Sequence, residues 1–205
     1  MGVHIFVIAL IVGVSILGFN NSKFLNRNMF NAYKIIHDRQ YFRLISHGFL
    51  HASWTHLLVN VFVLWSFGSI LIEYYNYFFV GMGSVLFLVL FVTSLIISSL
   101  YSLAKEKNNR YYNSLGASGA VSAVLFSSIF FDPWGKIYIY AILPVPGIVF
   151  GVLYLAFERY SMKKNGDNVA HDAHIFGAVY GFVFPLLFNP NLFFVFLEQF
   201  KSILK

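Results

Sequence analysis

Long apolar runs separated by short charged segments dominate the chain. When every Asp, Glu, Lys and Arg is placed along the sequence, six charge-free stretches remain: residues 1–22, 44–72, 74–104, 111–131, 137–157 and 173–197. Each stretch is long enough for the roughly 20 residues that a membrane-spanning helix needs. They are too continuously apolar for the alternating strands of about 10 residues in a membrane barrel. The pattern therefore predicts an all-α membrane protein with six transmembrane helices in a single domain, residues 1–205.

The segments between these runs differ in character. Residues 23–43 mix basic and apolar side chains, which is typical of amphipathic structure associated with the membrane interface. We expect a short connection at residues 73–77 and a tight turn at residues 131–136, which contain Pro and Gly. The first run follows no basic residue and ends in no small-residue cleavage site, so we expect a retained helix rather than a signal peptide.

Composition supports a membrane protein and excludes some kinds of site. Only 11% of residues are charged, against about 25% in soluble domains. The net charge of +6 fits contact with anionic lipid headgroups. No basic patch interleaved with aromatic residues suggests nucleic-acid binding. The chain has no cysteine, which rules out disulfides, thiol catalysis and cysteine-based metal sites.

Histidines and one asparagine interrupt the second run. The stretch SHGFLHASWTHLLVN, residues 46–60, carries His47, His51, His56 and Asn60. His56 and Asn60 are four residues apart and therefore share one helix face. Polar side chains at membrane depth are costly and are functional candidates, although they can also serve only to hydrogen-bond neighbouring helices.

A serine and a further histidine lie close to small residues. Ser118 lies in NSLGASGAV, residues 113–121, next to Gly116 and Gly119; this motif alone favours close helix packing. His174 lies in AHDAHIFGAVYG, residues 170–181, and shares a helix face with Gly177 and Gly181. The two glycines form a small surface that another helix can approach. We expect the neighbouring His171 and Asp172 to be solvated.

The order of the helices brings these groups to one face of the membrane. His56 and Asn60 follow the first loop, Ser118 the third and His174 the fifth, so all of them lie at similar depth. A serine becomes a nucleophile when a base within about 2.6–3.2 Å takes its proton, and His174 is the candidate base. His56, Asn60 and the Ser118 backbone N–H are candidate donors to an oxyanion. We expect no Asp or Glu inside any helix and therefore no third carboxylate of a triad, so we predict a Ser–His dyad.

These motifs resemble the rhomboid family of intramembrane serine proteases, in particular the bacterial type with a six-helix core. The resemblance rests on GASG at 116–119, AHIFGAVYG at 173–181 and HASWTHLLVN at 51–60, and it extends over nearly the whole chain. It implies a rhomboid-like bundle with a membrane-associated first loop. It also implies an endopeptidase that cleaves transmembrane-anchored proteins, with Ser118 as nucleophile, His174 as base, and an oxyanion site formed by His56, Asn60 and the Ser118 amide.

The resemblance implies further roles and surroundings. His51 matches a histidine near the active site, Glu73 matches a structural acidic residue, and Gly116, Gly119, Gly177 and Gly181 support the site. We expect no cofactor and no metal, partners limited to transmembrane substrates and the lipid bilayer, and a multi-pass location in a bacterial inner (cell) membrane. Substrate entry beside the fifth helix, 137–157, is a family-level expectation.

Two positions depart from the family pattern, and the charge distribution conflicts with it. Many members carry an aromatic residue four positions after the nucleophile, where this chain has Ser122; the Trp-Arg pair of the first loop is here Phe42-Arg43. The first, third and fifth loops hold 11 of the 14 Lys and Arg, which predicts a cytoplasmic location for that face. The family pattern predicts the opposite orientation, and we follow the family.

Two other classes of function stay open. A non-catalytic rhomboid-like protein would bind transmembrane clients without cutting them, although such relatives typically lack the serine or the histidine. A metal or proton transporter would use the histidines, since imidazole is a common metal ligand. The runs contain no intramembrane carboxylate and no matching pair of broken helices, which argues against a transporter.

Overall fold

The computed structural model of the protein describes residues 2–139, 142–164 and 169–201. Within these ranges the chain forms ten α-helices, one 3₁₀ turn and one β-hairpin. The helices are α1 Val3–Asn20, α2 Ser22–Asn28, α3 Ala32–His37, α4 Arg43–Ser46, α5 Trp54–Phe78, α6 Gly83–Lys105, α7 Ser118–Phe131, α8 Gly147–Lys164, α9 His171–Phe188 and α10 Leu192–Lys201. The 3₁₀ turn is His47–Phe49, and the strands are β1 Lys136–Ile139 and β2 Leu143–Pro146.

The long helices have the length and composition of membrane spans. Among the described residues, α1, α5, α6 and α9 are each long and apolar enough to cross a membrane, and α7 is a shorter apolar helix. Together with α8 they correspond to the six apolar runs of the sequence. The predicted all-α membrane fold is confirmed, and the arrangement is consistent with a six-helix bundle.

Helix α7 lies at the centre of the bundle. Every residue from Gly119 to Phe131 is buried, and only Ser118 at its start is partly exposed. A helix that is apolar all round is expected in the interior. Helices α5, α6 and α9 pack around it, and the start of α7 is therefore the part of this helix that is open to its surroundings.

Helices α7 and α9 approach each other closely through glycine. A Cβ atom on Gly177 would overlap the carbonyl oxygen of Gly119, and a Cβ on Gly181 would overlap the carbonyl oxygen of Ala123. The absence of side chains at Gly177 and Gly181 therefore lets the two backbones touch, as small residues do in membrane helix pairs.

The segment between α1 and α5 is compact. Arg43 is only 3% exposed; its guanidinium donates to the backbone oxygens of Met29 at 2.6 Å and Asn26 at 3.1 Å, and to the side chain of Gln40 at 2.7 Å. These bonds satisfy a buried charge and fold α2, α3 and α4 against one another, which gives the first loop a defined shape.

Several predicted boundaries are wrong. The second span begins at Trp54 rather than at residue 44, because the Ser53 side chain accepts the His56 N–H at 3.2 Å and caps the helix. It continues to Phe78, so the connection is residues 79–82 and not 73–77. The fourth span begins at Ser118 and not at residue 111.

The last two runs are also divided. The first part of the fifth run contributes to the antiparallel strands β1 and β2, with Lys136 opposite Pro146, before α8 begins at Gly147. The sixth run is split at residues 189–191, where Pro190 follows the end of α9. Charge-free length alone does not show these breaks, because the residues that form them are uncharged.

Candidate active site

Ser118 is the first residue of α7. Gly116, two residues earlier, has φ +132, a conformation that favours glycine, and this turn directs the chain into the helix. The first N–H groups of a helix have no intrahelical acceptor and carry partial positive charge. The Ser118 position therefore combines a partly exposed hydroxyl with a backbone donor, which suits a group that must handle negative charge.

His174 lies in the first turn of α9, next to the closest contact between α9 and α7. A Cβ on Gly119 would lie 3.3 Å from the backbone oxygen of Ala173. Gly119, which follows Ser118, is therefore in contact with Ala173, which precedes His174. In the described part of the chain, no hydrogen bond joins the Ser118 hydroxyl to His174. Catalytic hydrogen bonds are often long or misaligned before substrate binds.

His56 and Asn60 lie on α5 beside the same turn. A Cβ on Gly116 would lie 2.6 Å from Cε1 of His56, so the imidazole packs directly on the segment before Ser118. The Asn60 side-chain amide donates to the His56 backbone oxygen at 3.1 Å. In this state Asn60 is thus bonded within its own helix.

His51 connects the site to α1. Its Nδ1 lies 2.8 Å from the Ser15 hydroxyl, and its ring meets that of His56 edge-on with centroids 4.9 Å apart. Burial and then the neighbouring His56 lower the pKa of His51 to about 3. Burial likewise lowers the pKa of His47, in the 3₁₀ turn, to about 4. Both rings are therefore neutral at pH 7 and act as packing and hydrogen-bonding groups.

The first loop holds the segment that leads into Ser118. The Gly116 N–H donates to the His47 backbone oxygen at 3.0 Å. Phe30 and Ser114 pair as an antiparallel bridge, with N–H to oxygen distances of 2.9 and 3.2 Å. The Asn31 amide donates to the backbone oxygens of Arg110 and Tyr112. These bonds fix the turn at Gly116 relative to the first loop.

A carboxylate contacts the candidate base, contrary to the sequence-based expectation. Glu158 lies inside α8 and is 4% exposed; its Oε1 is 3.0 Å from Nδ1 of His174, and its Oε2 is 2.5 Å from Nδ1 of His171. The prediction that the helices contain no Asp or Glu is therefore wrong. It failed because the apolar run ends at residue 157, whereas the helix continues to Lys164.

The contact of Glu158 with His174 is close but not fully aligned. The distance of 3.0 Å is within hydrogen-bonding range, but the geometry does not meet that of a hydrogen bond in this state. The potential metal-ligand atoms of Glu158, His171 and His174 lie within 4.8 Å of one another, a spacing that would also suit a metal ion. The direct contacts to the carboxylate favour hydrogen bonding between the side chains.

His171 and Asp172 are buried, whereas we expected them to be solvated. They are 7% and 9% exposed. The Ser102 hydroxyl donates to Oδ2 of Asp172 and lies 3.1 Å from the Tyr112 hydroxyl. Both residues therefore bond to neighbouring elements at the start of α9. Proximity to the polar loop in the sequence gave no sign of this, because their partners come from α6 and α8.

An aromatic ring reaches His174 from α8. Ser122 occupies the position where related sequences often carry an aromatic residue, and its hydroxyl lies 2.7 Å from the Tyr154 hydroxyl. The Tyr154 ring stacks on His174, with centroids 6.5 Å apart and planes inclined by 29°. The aromatic neighbour of His174 thus comes from α8 and not from α7. The sequence indicated this only through the spacing of residues 151, 154 and 158, which share one face of a helix.

A cavity lies on the loop side of this cluster. Its volume is about 310 Å³, and its lining includes Tyr112, Met162, His171 and Asp172. The cavity lies between the end of α6, the segment before α7 and the start of α9. Its lining includes the buried polar residues at the start of α9.

Several known proteins are similar in sequence to much of this chain. A family model described as the Rhomboid domain matches residues 38–191. RHOMBOID-like protein 12, mitochondrial, of Arabidopsis thaliana is 25% identical over 167 residues, which cover 77% of this chain and 49% of the relative. Presenilin-associated rhomboid-like protein, mitochondrial, of Homo sapiens is 30% identical over 139 residues, or 65% of this chain and 34% of the relative. Rhomboid protein 1, mitochondrial, of Saccharomyces cerevisiae is 31% identical over 147 residues, or 69% and 40%.

These relatives correct the expected location, and the family model identifies the family. All three are named as mitochondrial, so the expectation of a bacterial inner membrane is wrong, and the similarity points to a mitochondrial membrane instead. The motifs that suggested a bacterial protein surround the site and carry no information on location. The chain spans between 34% and 49% of the length of these three relatives. Because the family model covers most of the sequence, from residue 38 to residue 191, the chain belongs to the rhomboid family.

Proposed function

We propose that the protein is an intramembrane serine endopeptidase that cleaves transmembrane-anchored proteins within or near the membrane. Ser118 is the nucleophile and His174 the general base. The observation that carries this proposal is the contact between α7 and α9 at Gly119 and Ala173, each adjacent to one of the two residues. Family membership supports the same reaction class. Following the mitochondrial relatives, we place the protein in a mitochondrial membrane.

The proposed reaction is acyl transfer to serine followed by hydrolysis. The Ser118 hydroxyl oxygen attacks the carbonyl carbon while its proton moves to the Nε2 of His174. The imidazolium then gives that proton to the leaving amine, which leaves an ester on Ser118. Water attacks the ester with His174 again acting as base, and the serine is restored.

The negative charge that develops on the substrate's carbonyl oxygen requires hydrogen-bond donors. The Ser118 backbone N–H, His56 and Asn60 are the proposed donors. Asn60 would first exchange its 3.1 Å bond to the His56 backbone oxygen. The glycines at 116, 119, 177 and 181 support this site by allowing α5, α7 and α9 to approach, and His51 supports it by holding α1 near His56.

A second candidate function is binding of transmembrane clients without cleavage. The absence, within the described residues, of a hydrogen bond between Ser118 and His174 is the observation that favours it. In that case Ser118 would serve only the close packing of α7.

Cleavage of a membrane-anchored model substrate in liposomes distinguishes the two functions. We expect the wild type to cut the substrate and both Ser118→Ala and His174→Ala to be inactive. Ser128→Ala, which changes a buried serine bonded to Val124 on the same helix, is the matched control and should stay active. Equal product from wild type and Ser118→Ala, or client binding by a folded wild type without cleavage, would contradict the protease proposal.

A further inference from the structure

Glu158 is a buried carboxylate held between two histidines. It is 4% exposed, and its two oxygens face Nδ1 of His171 at 2.5 Å and Nδ1 of His174 at 3.0 Å. A buried carboxylate is costly unless it is paired. Both oxygens have partners here, and one of those partners is the proposed catalytic base.

The position of Glu158 is set by one face of α8. Residues 147, 151, 154 and 158 lie on the same side of the helix. A Cβ on Gly151 would lie 3.3 Å from the Phe126 ring of α7, and the Tyr154 hydroxyl lies 2.7 Å from the Ser122 hydroxyl. The exposed apolar residues of α8, such as Val152 and Phe157, point away from these contacts. Helix α8 therefore presents Glu158 to α9 through a narrow packed face.

We propose that Glu158 is a positioning residue for His174, so that Ser118, His174 and Glu158 act as a three-residue array instead of a dyad. This inference rests on the proposed protease function. The carboxylate accepts the Nδ1–H of His174, which leaves the lone pair on Nε2 available to the serine proton. It then stabilises the imidazolium that forms and stays ionised throughout, as an orienting carboxylate does in serine proteases.

His171 holds the second oxygen of Glu158 and so fixes the direction of the first. Other groups also surround His174: the Tyr154 ring stacks on it, the His171 ring lies edge-on to it, and His56 of α5 is near enough to interact electrostatically. Of these neighbours, Glu158 is the carboxylate within reach of Nδ1. Its removal should therefore affect the chemical step and not substrate binding.

The competing explanation is a purely structural ion pair that holds α8 against α9. Breaking such a pair destabilises a protein and would lower activity only through lost folding. The two explanations differ in kcat measured on folded protein, because only a positioning role lowers kcat when folding is intact.

The test compares Glu158→Gln, Glu158→Asp and the matched control Glu73→Gln with the wild type in the liposome cleavage assay, and thermal melting checks folding. We expect Glu158→Gln to lower kcat at least about tenfold with KM changed less than about twofold. Glu158→Asp should restore part of kcat, because it keeps the charge on a shorter side chain. The resemblance matched Glu73 to a structural acidic residue, but its side chain is exposed near the end of α5, so Glu73→Gln should behave as wild type.

Each other outcome overturns the inference. If Glu158→Gln folds and keeps the kcat of the wild type, the inference is overturned directly. If Glu158→Gln fails to fold, wild-type kcat in a folded Glu158→Asp does the same, and loss of folding in both variants assigns Glu158 to structure alone. A folded wild type no more active than Ser118→Ala overturns the protease function and this inference together. Ser118-dependent cleavage that is insensitive to Glu158 overturns only the inference.

Discussion

At the residue scale, the site depends on positions where a single carbon cannot be added. Gly116 has a backbone conformation suited to glycine and lies under the His56 ring. Gly177 faces the carbonyl oxygen of Gly119, which is backbone and cannot turn aside as a flexible side chain can. The distance between Ser118 and His174 is therefore set by atoms that have little freedom to adjust.

Gly177→Ala should separate α7 from α9. Overpacking a tight contact costs typically about 1–3 kcal/mol, so we expect lower thermal stability and at least tenfold lower cleavage. Gly13→Ala is the matched control, because a Cβ on Gly13 of α1 meets nothing within 4 Å. It should be neutral, or stabilising by up to about 1 kcal/mol. Melting curves and cleavage rates of the two variants check this, and equal behaviour would count against the proposed role of the α7–α9 contact.

At the element scale, the first loop gives the fold a dependence on pH. His47 and His51 have pKa values lowered by burial to about 4 and about 3 in the folded state, against about 6.5 when unfolded. The unfolded chain therefore binds more protons in acid, and stability falls as the pH drops below about 6.5 towards 4. Above that range both rings are neutral in either state and contribute no pH dependence.

This dependence is measurable by thermal melting between pH 7.5 and pH 4.5. We expect the melting temperature to fall steadily across this range, and His51→Asn to reduce the slope, because it removes one of the groups that must be protonated. His37→Asn, which changes an exposed histidine of α3, should leave the slope unchanged. A melting temperature that does not change with pH in the wild type would contradict the burial of these neutral rings.

The sequence predicted the elements that lipid requires and missed those that depend on tertiary contacts. Charge-free length identified the long spans, since uninterrupted apolar helices are what a membrane demands. It did not identify strands β1 and β2, because all their residues but Lys136 are uncharged. The same criterion, charge-free length, ended the fifth predicted span at residue 157, so Glu158 was not placed inside a helix. His56, Asn60 and His174 were chosen as candidates because polar side chains are costly at membrane depth, and Ser118 because it lies at the same face of the membrane beside small residues. The contacts of Tyr154 and Glu158 with His174 depend on the rotation of α8, which the sequence pattern does not show.

At the scale of the whole molecule, the candidate site lies among packed helices, so under the proposed function a substrate must present an extended peptide bond there. A helix protects its own peptide bonds by intrahelical hydrogen bonding, and glycine weakens a helix by about 1 kcal/mol relative to alanine. Segments with glycine near the cut should therefore unfold more readily into the site.

The expected result is faster cleavage of a substrate whose transmembrane segment contains glycine near the cut than of one with leucine throughout. Both substrates are compared in the same liposomes at equal concentration, with Ser118→Ala as the blank. We expect at least about fivefold faster cleavage, which corresponds to about 1 kcal/mol. Equal rates would argue that local unfolding of the substrate does not limit the reaction.

The most direct test of the central claim is labelling of Ser118 by a fluorophosphonate probe in detergent-purified protein. The account predicts covalent modification of Ser118 in the wild type and in Ser128→Ala, and none in Ser118→Ala or His174→Ala, with mass spectrometry locating the adduct. Labelling that depends on both residues would establish a serine activated by its histidine. No labelling of a folded wild type that also fails to cleave a model substrate would contradict the account and leave Ser118 as a residue of helix packing.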